Sequence, residues 1–229
     1  MSGTYFNCLN NITILCVDGV NPDIGLKALK YSMQHINFGK SILLSHIKPG
    51  NIPDNIVFQE IPKLTHDTYS EFMLHELYKY IDTDYCLNIH DDGFVINPQL
   101  WDDAFLEYDY IGAPWLHTVQ YFGEKYRVGN GGFSLRSKKL INLCKNIKTK
   151  GHEDAAICIY HRDALEQHGC KFAPVEVAMK FSLEEQIPEC PFDLNKTFGF
   201  HGRGVPEMDP SRGHYQQFLD RIELLERII

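Results

Sequence analysis

In Tyr85-Cys86-Leu87-Asn88-Ile89-His90-Asp91-Asp92-Gly93-Phe94, an apolar run ends abruptly in two adjacent carboxylates and a glycine. The run has the length and composition of a buried strand. The carboxylates have no cationic neighbour in sequence. Two uncompensated charges at the end of a buried strand are costly, and a cation bound by phosphates would relieve that cost. The plainer reading of the same residues is an Asx turn capping an ordinary strand.

Upstream, residues 11–17 (NITILCV) form a β-branched run ending at Asp18-Gly19, and read as a first buried strand. Residues 22–38 carry Ile24, Leu26, Leu29, Met33 and Ile36 near helical spacing. Residues 41–46 and 56–59 read as a second and a third strand. Residues 68–81 present an apolar stripe of Phe72, Leu74, Leu77 and Tyr78, which predicts an amphipathic helix. Strand and helix alternate, so an α/β fold with a mostly parallel sheet flanked by helices is expected. Ligands in such sheets bind beyond the carboxyl ends of the strands. Asp18 and His90–Asp92 lie at two such ends and are expected to face one crevice.

Downstream the pattern is less regular. Residues 101–108 read as a short helix, and 109–115 as a short strand and turn. Residues 128–137 (VGNGGFSLRS) hold a glycine cluster followed by an alternating strand. Residues 138–147, 153–168 and 211–229 read as helices. No repeat or linker divides the chain, so a single domain is expected.

The chain has 229 residues, 44% hydrophobic and 23% charged, which supports a real core. A formal charge of −8 disfavours generic nucleic-acid binding. Seven cysteines include no C-x-x-C pair. Cys16, Cys86, Cys144 and Cys158 lie in apolar segments and read as small buried hydrophobes in a reducing compartment. No apolar run approaches the ~18 residues of a transmembrane segment. A soluble, cytoplasmic protein is expected.

Three further stretches carry chemistry. Asn130-Gly131-Gly132 allows close backbone approach to a ligand, or simply a hairpin turn. Gly151-His152-Glu153-Asp154 opens a helix, where acids complement the helix dipole or supply a general base. Phe198-Gly199-Phe200-His201-Gly202 isolates a histidine between glycines, a poor packing unit and a good ligand.

Taken in order, HDDGFVINPQLWDDAFLEYDYIGAPW, VGNGGFSLRSKKL, GHEDAAICIY, KFAPVEVAMKFSLE and FGFHG resemble a family of GT-A-type glycosyltransferase domains of polysaccharide and glycan biosynthesis. The resemblance covers roughly residues 11–202. It implies a GT-A-like, Rossmann-related sheet, with a nucleotide-sugar half over about residues 1–115, an acceptor and catalytic half over about 116–210, and a terminal helix over 211–229. It places the Asp-x-Asp-type motif on His90-Asp91-Asp92, with His90 standing where the first aspartate usually contacts ribose. Asp92 is then the first metal ligand and Asp91 the second, with His201 as the late metal-binding histidine. Gly131 and Gly132 would form the acceptor-side loop, and Asp18 would border the nucleobase. The catalytic base falls on Glu153-Asp154, with Asp154 favoured. The implied reaction is an inverting transfer of a hexose-type sugar. The donor is a nucleoside diphosphate sugar, UDP-sugar favoured, and the acceptor a glycan or glycoconjugate hydroxyl. Mn²⁺ or Mg²⁺ is the implied cofactor. Neighbouring domains in a longer polypeptide are compatible with a unit of this kind.

Two other classes stay open at this point. A nucleotidyltransferase or phosphoesterase needs a second carboxylate pair for a second metal, for which Asp102-Asp103 is available. A non-catalytic glycan-binding module could use Tyr110, Trp115, Tyr121 and Tyr126 as stacking surfaces. The stretch 116–127 reads as a candidate lid.

Overall fold

The computed structural model describes residues 7–116, 121–189, 192–202 and 215–227. Strand β1 (Asn7–Val17) lies inside the sheet, and Ile12, Ile14, Leu15 and Cys16 are fully buried. Helix α1 (Pro22–Ser32) follows, then β2 (Ile36–Ser45), β3 (Val57–Glu60), α2 (His66–His75) and β4 (Tyr85–Ile89). The six-stranded sheet has the order β3-β2-β1-β4-β8-β5, where β5 is Tyr110–Ile111 and β8 is Phe133–Ser137. Strands β1 to β4 pair in parallel, while β8 runs antiparallel to both β4 and β5. The sheet is therefore mixed and mostly parallel, as the alternation predicts.

Both faces of the sheet are covered, which explains the near-continuous apolar composition of β1. Ile14 and Cys16 pack with Leu26 and Leu29 of α1 on one side. Leu15 and Val17 pack with Phe72 and Met73 of α2 on the other. Burying each Leu or Ile side chain in this way contributes ~1.5–3 kcal/mol.

Two small ribbons complete the second half. One pairs β6 (Ala113–Pro114) with β7 (Val128–Gly129). Helices α3 (Lys138–Cys144), α4 (Glu153–Ala155), α5 (Arg162–Gln167) and α6 (Val175–Phe181) follow β8. The other ribbon pairs β9 (Ser182–Leu183) in parallel with β10 (Gly199–Phe200). Helix α7 (Tyr215–Arg227) returns Phe218, Ile222 and Leu225 to the α1 side of the core.

Several local expectations are corrected. The helix expected over 22–38 ends at Ser32, because Ile36 and Phe38 alternate inward as the start of β2, where Ile36 faces Asn7. The helix expected over 68–81 begins at His66, capped by Thr65 through a reciprocal box with Thr68, and gives way to a 3₁₀ turn at Leu77–Lys79. The short helix expected over 101–108 is a 3₁₀ helix over Asp103–Glu107. The helix expected over 138–147 stops at Cys144. The one expected over 153–168 is interrupted by a π-turn at Ala156–Tyr160. Of the candidate lid, residues 117–120 lie outside the described residues. Glu124–Tyr126 form a 3₁₀ turn, and Arg127 pairs with Glu124 and Glu189. Of the terminal helix, 211–214 and 228–229 also lie outside them.

Candidate active site

The carboxyl ends of β1 and β4 open onto a cavity of about 540 Å³. Asp18, His90, Asp91, Asp92, Gly131, Gly132, Glu153, Asp154 and His201 all line it. These are the residues singled out from sequence, and the fold brings every one of them to the same place. Parallel pairing of β1 with β4 sets Cys16 beside Ile89, so the two strands end level with each other. Asp18 Oδ1 accepts from the backbone N–H groups of Val20 and Asn21, both at 2.8 Å. One of its oxygens therefore holds the turn into α1.

His90, Asp92 and His201 offer ligand atoms within 4.8 Å of one another. Among the described residues they are the one such trio of histidine, cysteine or acidic side chains. Asp91 lines the cavity outside this trio. Backbone pairing builds the cluster. The N–H of Gly202 donates to the carbonyl of Asp92 at 2.8 Å, and that of His201 to the carbonyl of Leu183 at 3.0 Å. His201 Nε2 lies 3.5 Å from Asp92 Oδ1, and its Nδ1 lies 3.0 Å from Glu184 Oε1. Glu184 also accepts from Trp115 Nε1 at 2.8 Å, which fixes the carboxylate. His90 Nε2 lies 2.7 Å from the Tyr69 hydroxyl.

One carboxylate and two imidazoles suit a borderline divalent ion. A carboxylate on the far nitrogen of a histidine is the usual support of a metal ligand. The donor set therefore fits a divalent metal. Burial opposes protonation of His201, but its bond to Glu184 and the charge of Asp92 prevail and raise its pKa to about 9. Burial, reinforced by the nearby His201, lowers the pKa of His90.

The glycine loop connects this cluster to the acid pair. A Cβ on Gly132 would fall 2.0 Å from His201 Nε2, and one on Gly131 would fall 2.1 Å from Glu153 Oε1. A side chain at either position would have to displace the His201 imidazole or the Glu153 carboxylate. Asn130 adopts φ 73° and its side-chain oxygen accepts from Gly132 N–H at 2.8 Å, so the turn is held from within.

Behind the loop the two acids differ. Glu153 is buried against the equally buried Arg136, with Nη2 to Oε1 at 3.1 Å. Asp154 accepts from Gly131 N–H at 2.9 Å and from its neighbour Ala155 N–H at 2.7 Å. Burial, with the charges of Glu153 and Glu184, raises the Asp154 pKa to about 6 despite those two bonds. A carboxylate poised near neutrality in a cleft is suited to proton transfer. The π-turn directly after it, an irregularity frequent at functional sites, closes with His161 N–H on the carbonyl of Ala156 at 2.9 Å.

Sequence reasoning missed Glu184, Tyr69 and Arg136. Arg136 carried a readable signal: arginine at a buried position of the alternating strand FSLRS demands a carboxylate partner. Glu184 carried none, since its link to His201 exists only through the β9–β10 pairing. Asp102 and Asp103 are absent from the cavity lining: Asp102 accepts from Ala104 N–H, and Asp103 from Trp101 Nε1. Of the candidate stacking aromatics, Tyr110 is fully buried and Trp115 nearly so, while Tyr121 is exposed.

A fold of this class, a mixed and mostly parallel sheet with an acid-lined crevice at its strand ends, is shared by many proteins. The chain belongs to the family described as "Protein of unknown function (DUF5672)", which matches residues 51–201. No curated protein matches it. Among solved structures it is similar to a glycosyltransferase involved in the glycosylation of the major capsid of PBCV-1. That similarity has 14% identity and a TM-score of 0.49, over 94% of this chain and 98% of that one. No helix among the described residues is long and apolar enough to cross a membrane.

Proposed function

We propose that this protein is a metal-dependent, inverting glycosyltransferase of GT-A-like fold, moving a hexose-type sugar from a nucleoside diphosphate sugar, UDP-sugar favoured, to a glycan or glycoconjugate hydroxyl. The observation that carries the proposal is one cavity at the strand ends lined by both the Asp92–His201 pair and the raised-pKa carboxylate of Asp154. A Mn²⁺ or Mg²⁺ ion held by Asp92 and His201, with His90 beside it, would offset the charge that develops on the departing diphosphate.

The chain's own residues account for the rest. Asp154 takes the proton of the acceptor hydroxyl at its carboxylate. The acceptor oxygen bonds to the anomeric carbon as the bond from that carbon to the diphosphate oxygen breaks. Glu153, tied to Arg136, positions the helix start that carries Asp154. In this reading Asp91 would face the donor sugar or ribose, and Asp18 would border the nucleobase. The buried, unpaired thiols of Cys16, Cys86, Cys144, Cys158 and Cys170 support a reducing, cytoplasmic setting.

The test is a melting-temperature panel of UDP, GDP, dTDP and CMP, each with and without Mn²⁺. Ligand binding to the folded state raises the midpoint by mass action. A shift with one nucleotide, dependent on metal, is expected. No shift with any nucleotide would remove the donor site from this cavity.

A further inference from the structure

A second cavity, of about 410 Å³, adjoins the first and shares His66, Ser70 and His152 with it. We infer that this groove is the acceptor subsite and that it takes an uncharged sugar. The inference rests on the glycosyltransferase reading of the first cavity.

Continuity with the base carries the assignment. His152 directly precedes Glu153 and Asp154 at the start of α4, and its side chain makes no capping bond there. The groove therefore opens at His152 onto the cavity that Asp154 lines. The rings of His66 and His152 meet edge to face, with centroids 4.7 Å apart, where the two cavities join. Gly151, at φ 69°, makes the left-handed turn that delivers His152 to this junction.

The walls of the groove are built, not incidental. His75 of α2 lies 3.3 Å from Thr149 Oγ1 through Nε2 and 3.2 Å from the Lys145 carbonyl through Nδ1. This clamps the loop before α4 onto α2. A volume of this size lies in the range of small-ligand pockets.

The lining chemistry selects the class of sugar. Glu71, with His75 Nε2 3.2 Å from its carboxylate, and the exposed Asp67 bring two carboxylates, and among the described residues no lysine or arginine lines the groove. Sugar hydroxyls donate well to carboxylates. A uronic or phosphorylated sugar would set its own charge against them, which is unfavourable.

The experiment compares saturation transfer to methyl glycosides of glucose, galactose and mannose with that to methyl glucuronide, in the presence of UDP and Mn²⁺. It uses the wild type, Thr149→Trp, which fills the groove, and Glu71→Arg, which inverts a wall charge. Expected is a signal for at least one neutral glycoside and a weaker one for the glucuronide. Each variant should lose at least fivefold of the neutral signal while keeping the wild-type melting shift with UDP and Mn²⁺. Either variant alone suffices if the other does not fold. A neutral-glycoside signal that survives in the folded variants, a stronger glucuronide signal, or no glycoside signal in a wild type that binds UDP would each overturn the inference. Absence of the UDP shift in the wild type instead removes the donor reading, which that separate readout identifies.

Discussion

Arg136 and Glu153 form a buried ion pair, Nη2 to Oε1 at 3.1 Å, with side chains only 1% and 5% exposed. Arg136 also lies over the Tyr110 ring at 5.6 Å. The pair joins β8 to the helix start that presents Asp154. Removing one partner of such a pair leaves a charge buried without compensation, at ~3–5 kcal/mol. Glu153→Leu should therefore lower the urea midpoint strongly, and the double variant Arg136→Met/Glu153→Leu should recover much of that loss. Equal stability of Glu153→Leu and wild type would show that the pair is not closed in solution.

Asp154→Asn should reduce sugar transfer ~10²–10⁴-fold, the usual contribution of a general base. Nucleotide binding should persist, because the proposed donor contacts, Asp18 and the Asp92–His201 pair, do not include Asp154. Radiolabelled transfer assays alongside UDP titration separate the two effects. Transfer at the wild-type rate would assign the proton to another group.

The raised pKa of Asp154 has two pH consequences. Transfer should rise tenfold per pH unit below about 6 and level off above it, as the base ionises. For stability the sign is opposite. The folded chain binds this proton more tightly than the unfolded chain, whose carboxyl has the ordinary value of 3.8. The favourable contribution is present at low pH and is lost as pH rises through about 6. The wild type should lose ~3 kcal/mol relative to Asp154→Asn between pH 3.5 and pH 7. Denaturation of both proteins at several pH values checks this, and a pH-independent difference would contradict it.

Glu184→Gln should weaken Mn²⁺ binding ~10–100-fold by loosening His201, without removing a ligand. Isothermal titration with Mn²⁺ in the presence of UDP reads the change. An unaltered affinity would mean that Glu184 does not support the ligand.

Gly132→Ala should be more damaging than its size suggests. Its methyl would sit 2.0 Å from His201 Nε2, the atom that faces Asp92, so the imidazole must swing away. The expected result is loss of metal-dependent UDP binding with circular dichroism retained. Full binding by a folded Gly132→Ala would place His201 outside the site.

Much of the cavity lining was legible because its parts are local. The run into His90-Asp91-Asp92 is a strand end, and strand ends in an α/β sheet converge on one edge. Asp18 followed from the same rule. His201 was legible as a histidine with no packing role between two glycines. Boundaries were less legible where two periods overlap: Ile36 satisfies both a helical and an alternating pattern, and only its place opposite Asn7 selects the strand.

The sequence by itself determined the alternating strands and helices, the buried thiols and the acids at the strand ends, since apolar periodicity and turn chemistry act over a few residues. The tertiary structure alone decided that Glu184 meets His201, that Arg136 pairs with Glu153 while Asp154 is left without a cationic partner of its own among the described residues, and that His152 stands between two cavities. Each of these is a contact between residues 17 or more positions apart, or between separate walls of a cleft. Such contacts follow from β9–β10 pairing, from β8 reversing beside β4, and from the burial that makes an unpaired charge too costly to leave alone.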